Sequence, residues 1–188
     1  MCQTRQTARG KSPVFCGNIV KLNTRKKEGQ TYNKILAPLD GSELAECTLR
    51  HIKAIATGCN VPKVVLLRII EPVPPFAELA ASNARLATQV EQDIEKANTT
   101  EAKQYVKKKA DKLKKEGVAA TGVTISGKPD EEILKYADKN RFDLIIMSTH
   151  GRSGISRWAF GSVADRVSHY STIPVLIVSP RGCRVAKA

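Results

Sequence analysis

The sequence predicts an α/β fold, an open doubly wound parallel sheet of five strands with helices on both faces. Three observations point there. Short, almost continuous apolar runs recur at Lys34-Ile35-Leu36-Ala37-Pro38, Val64-Val65-Leu66-Leu67-Arg68-Ile69-Ile70 and Asp143-Leu144-Ile145-Ile146-Met147, the pattern of strands buried on both faces of a parallel sheet. Between them, apolar residues return every three or four positions, which is the helical period. Strand and helix alternate through the whole core, the order of successive right-handed crossover units.

The first strand is closed by Leu39-Asp40-Gly41-Ser42, a turn-forming group. Leu44, Ala45, Leu49, Ile52, Ile55 and Ala56 then mark a helix, with Gly58 as its expected stop. After the second strand, Pro72, Pro74 and Pro75 break the chain. Leu86, Val90, Ile94, Ala97, Ala102, Val106, Ala110 and Leu113 predict one long amphipathic helix, or two parted near Asn98-Thr99-Thr100. The lysines among residues 103–115 read as its solvated face. Residues 118–126 alternate as a third strand. Pro129 suits the first turn of a further helix, and Asp130, Glu131 and Glu132 favour its positive end. Ile133, Leu134 and Ala137 give it a core face. A glycine- and serine-rich loop follows the fourth strand, then a helix near residues 162–170 and a last strand, Pro174-Val175-Leu176-Ile177-Val178.

The chain of 188 residues carries a net charge of +13, but the charge is unevenly placed. Residues 1–31 hold seven basic side chains against Glu28 alone, six of the thirteen charges, and Arg181, Arg184 and Lys187 add three. The span 32–180 keeps only +4. We read residues 1–31 as a basic extension without regular periodicity, residues 32–180 as one domain, and residues 181–188 as a short basic tail. A domain so mildly basic, with 5% aromatics, is not expected to bind nucleic acid. No apolar run reaches the ~20 residues of a membrane span, and no signal-peptide pattern opens the chain, so a cytoplasmic location is expected. Five cysteines at irregular spacing suggest neither a disulfide frame nor a zinc site. Cys47 and Cys59 are expected as small, reduced, buried side chains.

Ligands of open α/β sheets sit beyond the C-terminal strand ends. Three such ends carry unusual residues: Pro38–Ser42, Arg68-Ile69-Ile70, and Ser148-Thr149-His150-Gly151-Arg152-Ser153-Gly154, which runs on to Gly161-Ser162 and a helix. Glycines let backbone N–H groups approach an anion, and the helix start adds partial positive charge. That describes a phosphate site or a plain turn-and-cap connection. G-x-x-x-x-G-K-[ST], G-x-G-x-x-G after the first strand, G-x-S-x-G and H-E-x-x-H are all absent. His51 and His169 fall in predicted helices, His150 reads as solvent-facing or backbone-bonded, and Trp158 as a cover or a subunit contact.

The segment from Asp143 to Gly154, continuing to Gly161-Ser162-Val163-Ala164, resembles the signature of the universal stress protein family. So do Lys34–Ser42 at the start and Pro174–Val178 at the end, and together these blocks cover residues 32–179. The resemblance implies a Rossmann-like, adenine nucleotide alpha hydrolase-like fold. It also implies ATP held by a loop of the form G-x2-G-x9-G-[ST], with Mg²⁺ bound through the phosphates. Gly151, Gly161 and Ser162 match the latter part of that loop, and Ser148 stands at its opening glycine. By the same resemblance Pro38, Leu39 and Asp40 edge the adenosine pocket and Ile69 packs on adenine. Met147, Ser148, Gly151, Gly161 and Ser162 line the ribose and phosphate path, and the last strand pairs two copies into a homodimer. Asp40 could equally serve as turn-former or helix cap, and Arg152 as phosphate clamp or exposed side chain. No carboxylate base stands out beside the loop, so no catalytic residue is assigned and no side chain is chosen as a metal ligand. The family reading implies a nucleotide-dependent stress-response module. A slow ATPase using the same pocket and a dimeric relative without nucleotide are the alternatives.

Overall fold

The computed structural model describes residues 31–149 and 161–179. Five strands run in the order β3-β2-β1-β4-β5, all parallel, as the alternating pattern predicts. They are β1 (Lys34–Pro38), β2 (Lys63–Ile70), β3 (Ala120–Ser126), β4 (Leu144–Ser148) and β5 (Val175–Val178), joined by α1 (Glu43–Gly58), α2 (Ala77–Lys115), α3 (Pro129–Lys139) and α4 (Ser162–Tyr170). Side chains alternate across each strand, and the two faces build two cores. Ile35, Ala37, Val64, Leu66, Leu144 and Ile146 meet α1 and the C-terminal half of α2. Leu36, Val65, Leu67, Ile145 and Met147 meet α3 and α4. Each fully buried Leu or Ile contributes about 1.5–3 kcal/mol relative to leaving it exposed, and both faces of the central strands gain it. The near-continuous apolar runs follow from that double coverage.

Three helices end in one way. After α1, Val61 N–H reaches Ala56 C=O and Asn60 N–H reaches Thr57 C=O, with Asn60 at φ 50°. After α2, Val118 pairs with Leu113 and Gly117 with Lys114, with Gly117 at φ 84°. After α3, Phe142 pairs with Ala137 and Arg141 with Asp138, with Arg141 at φ 53°. Each is a left-handed residue closing the last turn with paired hydrogen bonds. Gly58 therefore lies inside α1, and Asn60 performs the stop expected of it.

Of the two sequence readings of the long helix, the unbroken one holds over its apolar stripe. It passes unbroken through Asn98-Thr99-Thr100, and the one non-helical residue is Asn83, at φ −155° and ψ 89°. The Asn83 Oδ1 accepts from Leu86 N–H at 3.0 Å, so Asn83 acts as the N-cap of the longer segment. Phe76 N–H donates to Glu91 Oε1 at 2.9 Å, tying the preceding short turn back to it. Of the apolar stripe, Ala102, Val106, Ala110 and Leu113 are buried, while Leu86 is 48% exposed. Lys103, Lys107, Lys108, Lys112, Lys114 and Lys115 face solvent, and Lys109 is half-buried. Cys59, just past α1, is free, and Cys47 lies within α1. Both pack against the α1-side core as partly buried side chains. Among the described residues, no helix is long and apolar enough to cross a membrane.

The position of α2 is set by a glycine. A Cβ on Gly122 of β3 would stand 2.8 Å from Val106 Cγ2 and 2.9 Å from both Val106 Cβ and its carbonyl carbon. Only a residue without a side chain lets the helix backbone come so near the strand. Gly122→Ala is expected to destabilise the fold by about 1–3 kcal/mol through overpacking. Val106→Ala in the same chain should recover part of that loss, since it removes Cγ2, the nearest of the three close atoms, while Cβ and the carbonyl carbon remain. Urea unfolding of the two single variants and the double variant measures the coupling.

Candidate functional site

The chain lays down β1, β2 and β3 toward one edge of the sheet, returns across it, and lays down β4 and β5 toward the other. β1 and β4 are thus neighbours whose following helices leave to opposite faces, α1 to one and α4 to the other. Their ladder is confined to Ile35 with Leu144 and Leu36 with Ile145, while β1 stays paired to β2 through Pro38. The crevice this leaves at the C-terminal strand ends is a cleft of ≈ 570 Å³. That volume falls within the range of small-molecule sites, roughly 300–1,000 Å³.

Of the ten residues chosen from sequence, Pro38, Leu39, Asp40, Ile69, Met147, Ser148, Gly161 and Ser162 line this cleft. Gly151 and Arg152, with His150 and Trp158, lie outside the described residues. His51 and His169 sit on α1 and α4, and neither lines the cleft.

At the β1 end the backbone turns through Gly41, at φ 86°, and Asp40 organises the turn. Its Oδ1 accepts from Ser42 N–H at 3.0 Å and from Ser42 Oγ at 2.7 Å. Ser42 Oγ in turn accepts from Ala45 N–H at 3.1 Å, capping α1. Such a cap is worth about 1 kcal/mol. Asp40 therefore fills its turn-and-cap role while standing at the cleft wall. Arg68 Nη1 donates to Leu39 C=O at 3.4 Å from the end of β2.

The β4 end is built differently. Thr149 N–H donates to Val178 C=O at 3.1 Å, and Gly161 N–H returns to Thr149 C=O at 2.7 Å. The chain's exit at Thr149 and its re-entry at Gly161 are thereby joined. Gly161 is extended, at φ −63° and ψ 144°, and among the described residues no side chain caps the first turn of α4. The start of α4 faces the cleft with Gly161, Ser162, Val163 and Ala164. An uncapped helix start presents backbone donors and a partial positive charge to whatever fills the space. An ion pair with a buried carboxylate and a half-exposed guanidinium holds it in place. Arg166 Nε lies 2.8 Å from Asp130 Oδ2, whose side chain is 7% exposed, and the pair joins α4 to the first turn of α3.

The third wall is α2, which contributes Asn98, Glu101, Ala102 and Tyr105. Arg68 stands at one of the strand ends singled out from sequence, without an assigned role; its signal is a lone guanidinium in an apolar strand. Tyr105 gave no signal, because a tyrosine on the flank of a helical stripe reads as half-solvated packing. Its hydroxyl is enclosed, with no well-formed hydrogen bond among the described residues. Burial, and next the nearby Glu46 carboxylate, push its pKa well above the ordinary tyrosine value. That carboxylate is itself paired with Lys109, whose ammonium lies 5.4 Å from the Tyr105 ring centroid.

The family model described as universal stress protein family matches residues 31–179. Universal stress protein MJ0577 of Methanocaldococcus jannaschii is 34% identical over 154 residues, covering 78% of this chain and 94% of that one. Its solved structure superposes with a TM-score of 0.65 over 79% of this chain and 96% of the other. Universal stress protein UspA from Lactobacillus plantarum, 20% identical, gives 0.66 over 78% and 97%, a likeness of fold. A family protein from Arabidopsis thaliana with AMP bound, 15% identical, gives 0.52 over 82% and 93%. The match spans the described sheet from before its first strand to beyond its last, and one relative shares a third of its residues; the chain belongs to the universal stress protein family.

Proposed function

We propose that the cleft between β1 and β4 binds an adenine nucleotide, ATP with Mg²⁺, and that the protein acts as a nucleotide-dependent stress-response or signalling module. The observation that carries this reading is the meeting of eight residues, drawn from three separate stretches of sequence, around one cleft at the strand switch point. The two ends of the cleft differ as the ends of a nucleotide do. Leu39, Ile69 and Met147 offer apolar contacts suited to a base. The uncapped N–H groups at Ser162–Ala164 suit phosphate oxygens. In this reading the Asp40 carboxylate accepts from ribose or base donors while keeping its bonds to Ser42. Gly151 and Arg152 belong to the phosphate path. Mg²⁺ comes with the phosphates and supplies charge neutralisation there. The AMP carried by the Arabidopsis relative is of the same ligand class. The cytoplasm, where Mg-ATP is available, is the compartment this function requires.

A second reading rests on Ser148, which stands where the loop's first glycine is expected. In that reading the chain has lost nucleotide binding and acts through its dimer. Thermal unfolding separates the two. Millimolar Mg-ATP, at about 100 times the Kd, is expected to add about 2.7 kcal/mol of stability and raise the unfolding midpoint by several degrees. Gly161→Asp, which puts a carboxylate at the phosphate end, should abolish the rise. An unchanged midpoint in the native chain favours the second reading. Phosphate release above the Gly161→Asp background supports slow hydrolysis.

We infer also a homodimer formed through β5. This strand is a sheet edge, and Leu176 on it is 37% exposed, a combination that invites a second chain. Sedimentation velocity at micromolar concentration is expected to give a dimer, shifted toward monomer by Leu176→Lys. A native monomer across that range contradicts the assignment.

A further inference from the structure

We propose that Asp130 and Arg166 are a pair of positioning residues for the phosphate end of the cleft: their ion pair holds the first turn of α4 in register with the ligand and cancels a carboxylate charge that would repel it. This rests on the nucleotide reading above and adds to it the groups that set the hold on polyphosphate.

The need for such a hold follows from the size of α4. The helix has nine residues, of which Ala164 and Val167 are buried. Its donors at Ser162–Ala164 serve a phosphate only while they converge on it, because a hydrogen bond weakens steeply once misaligned. Two apolar contacts do not fix the direction of so short a helix. Polar fastenings to α3 supply the rest, one at each end. Arg166 Nε lies 2.8 Å from Asp130 Oδ2, and Thr172 Oγ1 donates to Asp138 Oδ1 at 2.6 Å.

Only the first of these adjoins the cleft. Asp130 stands between Pro129 and Ile133, both of which line it, and Arg166 lies one turn after Ser162, which lines it too. Asp138 is two turns farther along α3, about 12 Å away by the rise of a helix. The starts of α3 and α4 are therefore joined at the phosphate end, and their far ends are joined away from it.

Charge gives the pair its second role. The Asp130 side chain is 7% exposed, so little water screens it. A bare carboxylate there would oppose the partial positive charge of the α4 start. Arg166 cancels it from α4 itself. Since the charge is already cancelled, anchoring is the larger of the two effects. The two roles differ in sign: loss of Asp130 tightens the grip on an anion if charge alone matters, and loosens it if anchoring dominates.

Isothermal titration of the full chain with Mg-ATP, inorganic tripolyphosphate and adenosine tests this. Asp130→Ala and Arg166→Met each remove one partner, and Thr172→Val cuts the far fastening. The first two should weaken Mg-ATP and tripolyphosphate by about fivefold to tenfold, a usual size for residues that act through others, and leave adenosine unchanged. The loss in Asp130→Ala decides most, because that variant takes a negative charge away from an anionic ligand. Thr172→Val should leave all three affinities unchanged. Tighter polyphosphate binding in Asp130→Ala overturns the proposal. So does a loss shared equally by adenosine, or one reproduced by Thr172→Val. Native affinities in both pair variants, with a lowered ligand-free unfolding midpoint, assign the pair to stability alone and overturn it as well. If Asp130→Ala fails to fold, Asp130→Asn takes its place. It keeps the shape and an acceptor but gives up the ion pair, so a loss of about threefold is expected and a gain contradicts. If the native chain takes up neither Mg-ATP nor tripolyphosphate, the underlying reading fails and this proposal with it.

Discussion

The site depends on one constraint of connection: β1 and β4 are adjacent, but the helices that follow them must leave to opposite faces of the sheet. A parallel strand cannot be followed directly by its neighbour without a crossover, and right-handed crossovers send the two halves of the chain apart. No element can then close over the strand ends between them. The two-pair ladder of β1 and β4 is the local sign of that parting. The cleft is accordingly a product of topology, and the residues at its walls decide what it can hold.

Those walls are fixed to different depths. The β1 wall is rigid at short range, because Asp40, Ser42 and Ala45 form a closed chain of hydrogen bonds that leads directly into α1. The β4 wall is fixed at its base by Thr149 with Gly161 and by the Asp130–Arg166 pair behind α4. An ion pair with one partner so buried is costly to break, since the remaining carboxylate would lack compensation. The α2 wall is placed by the Gly122 approach to Val106, one residue from Tyr105. Packing far from the strand ends thus sets the height of side chains inside the cleft.

Much of this architecture was legible because strong local signals agreed with one another. The double burial of β1, β2 and β4 produced apolar runs that could hardly read otherwise, and β1 and α4 begin and end where the patterns place them. Glycine, serine and aspartate at strand ends pointed to the cleft before its walls were known. Other features escaped for physical reasons. Gly58 looked like a stop, but termination needs a left-handed residue after the last turn, and asparagine is one of the few other residues that visits that conformation, as Asn60 does. Asn98-Thr99-Thr100 left a break open beside the reading of one unbroken helix, and the helix is unbroken there because polar residues on a solvated helix face cost little. The interruption falls instead at Asn83, whose side chain caps the longer segment of α2. Tyr105 escaped because the enclosure of a hydroxyl is a property of three-dimensional packing, to which one-dimensional periodicity is blind.

A crystal structure of the full chain grown with excess Mg-ATP tests the central claim most directly. The account predicts a nucleotide seated between β1 and β4, its phosphates on the N–H groups of the first turn of α4, and its base beside Ile69. A cleft that stays empty, or one closed by the chain's own side chains with nucleotide bound elsewhere, would contradict it.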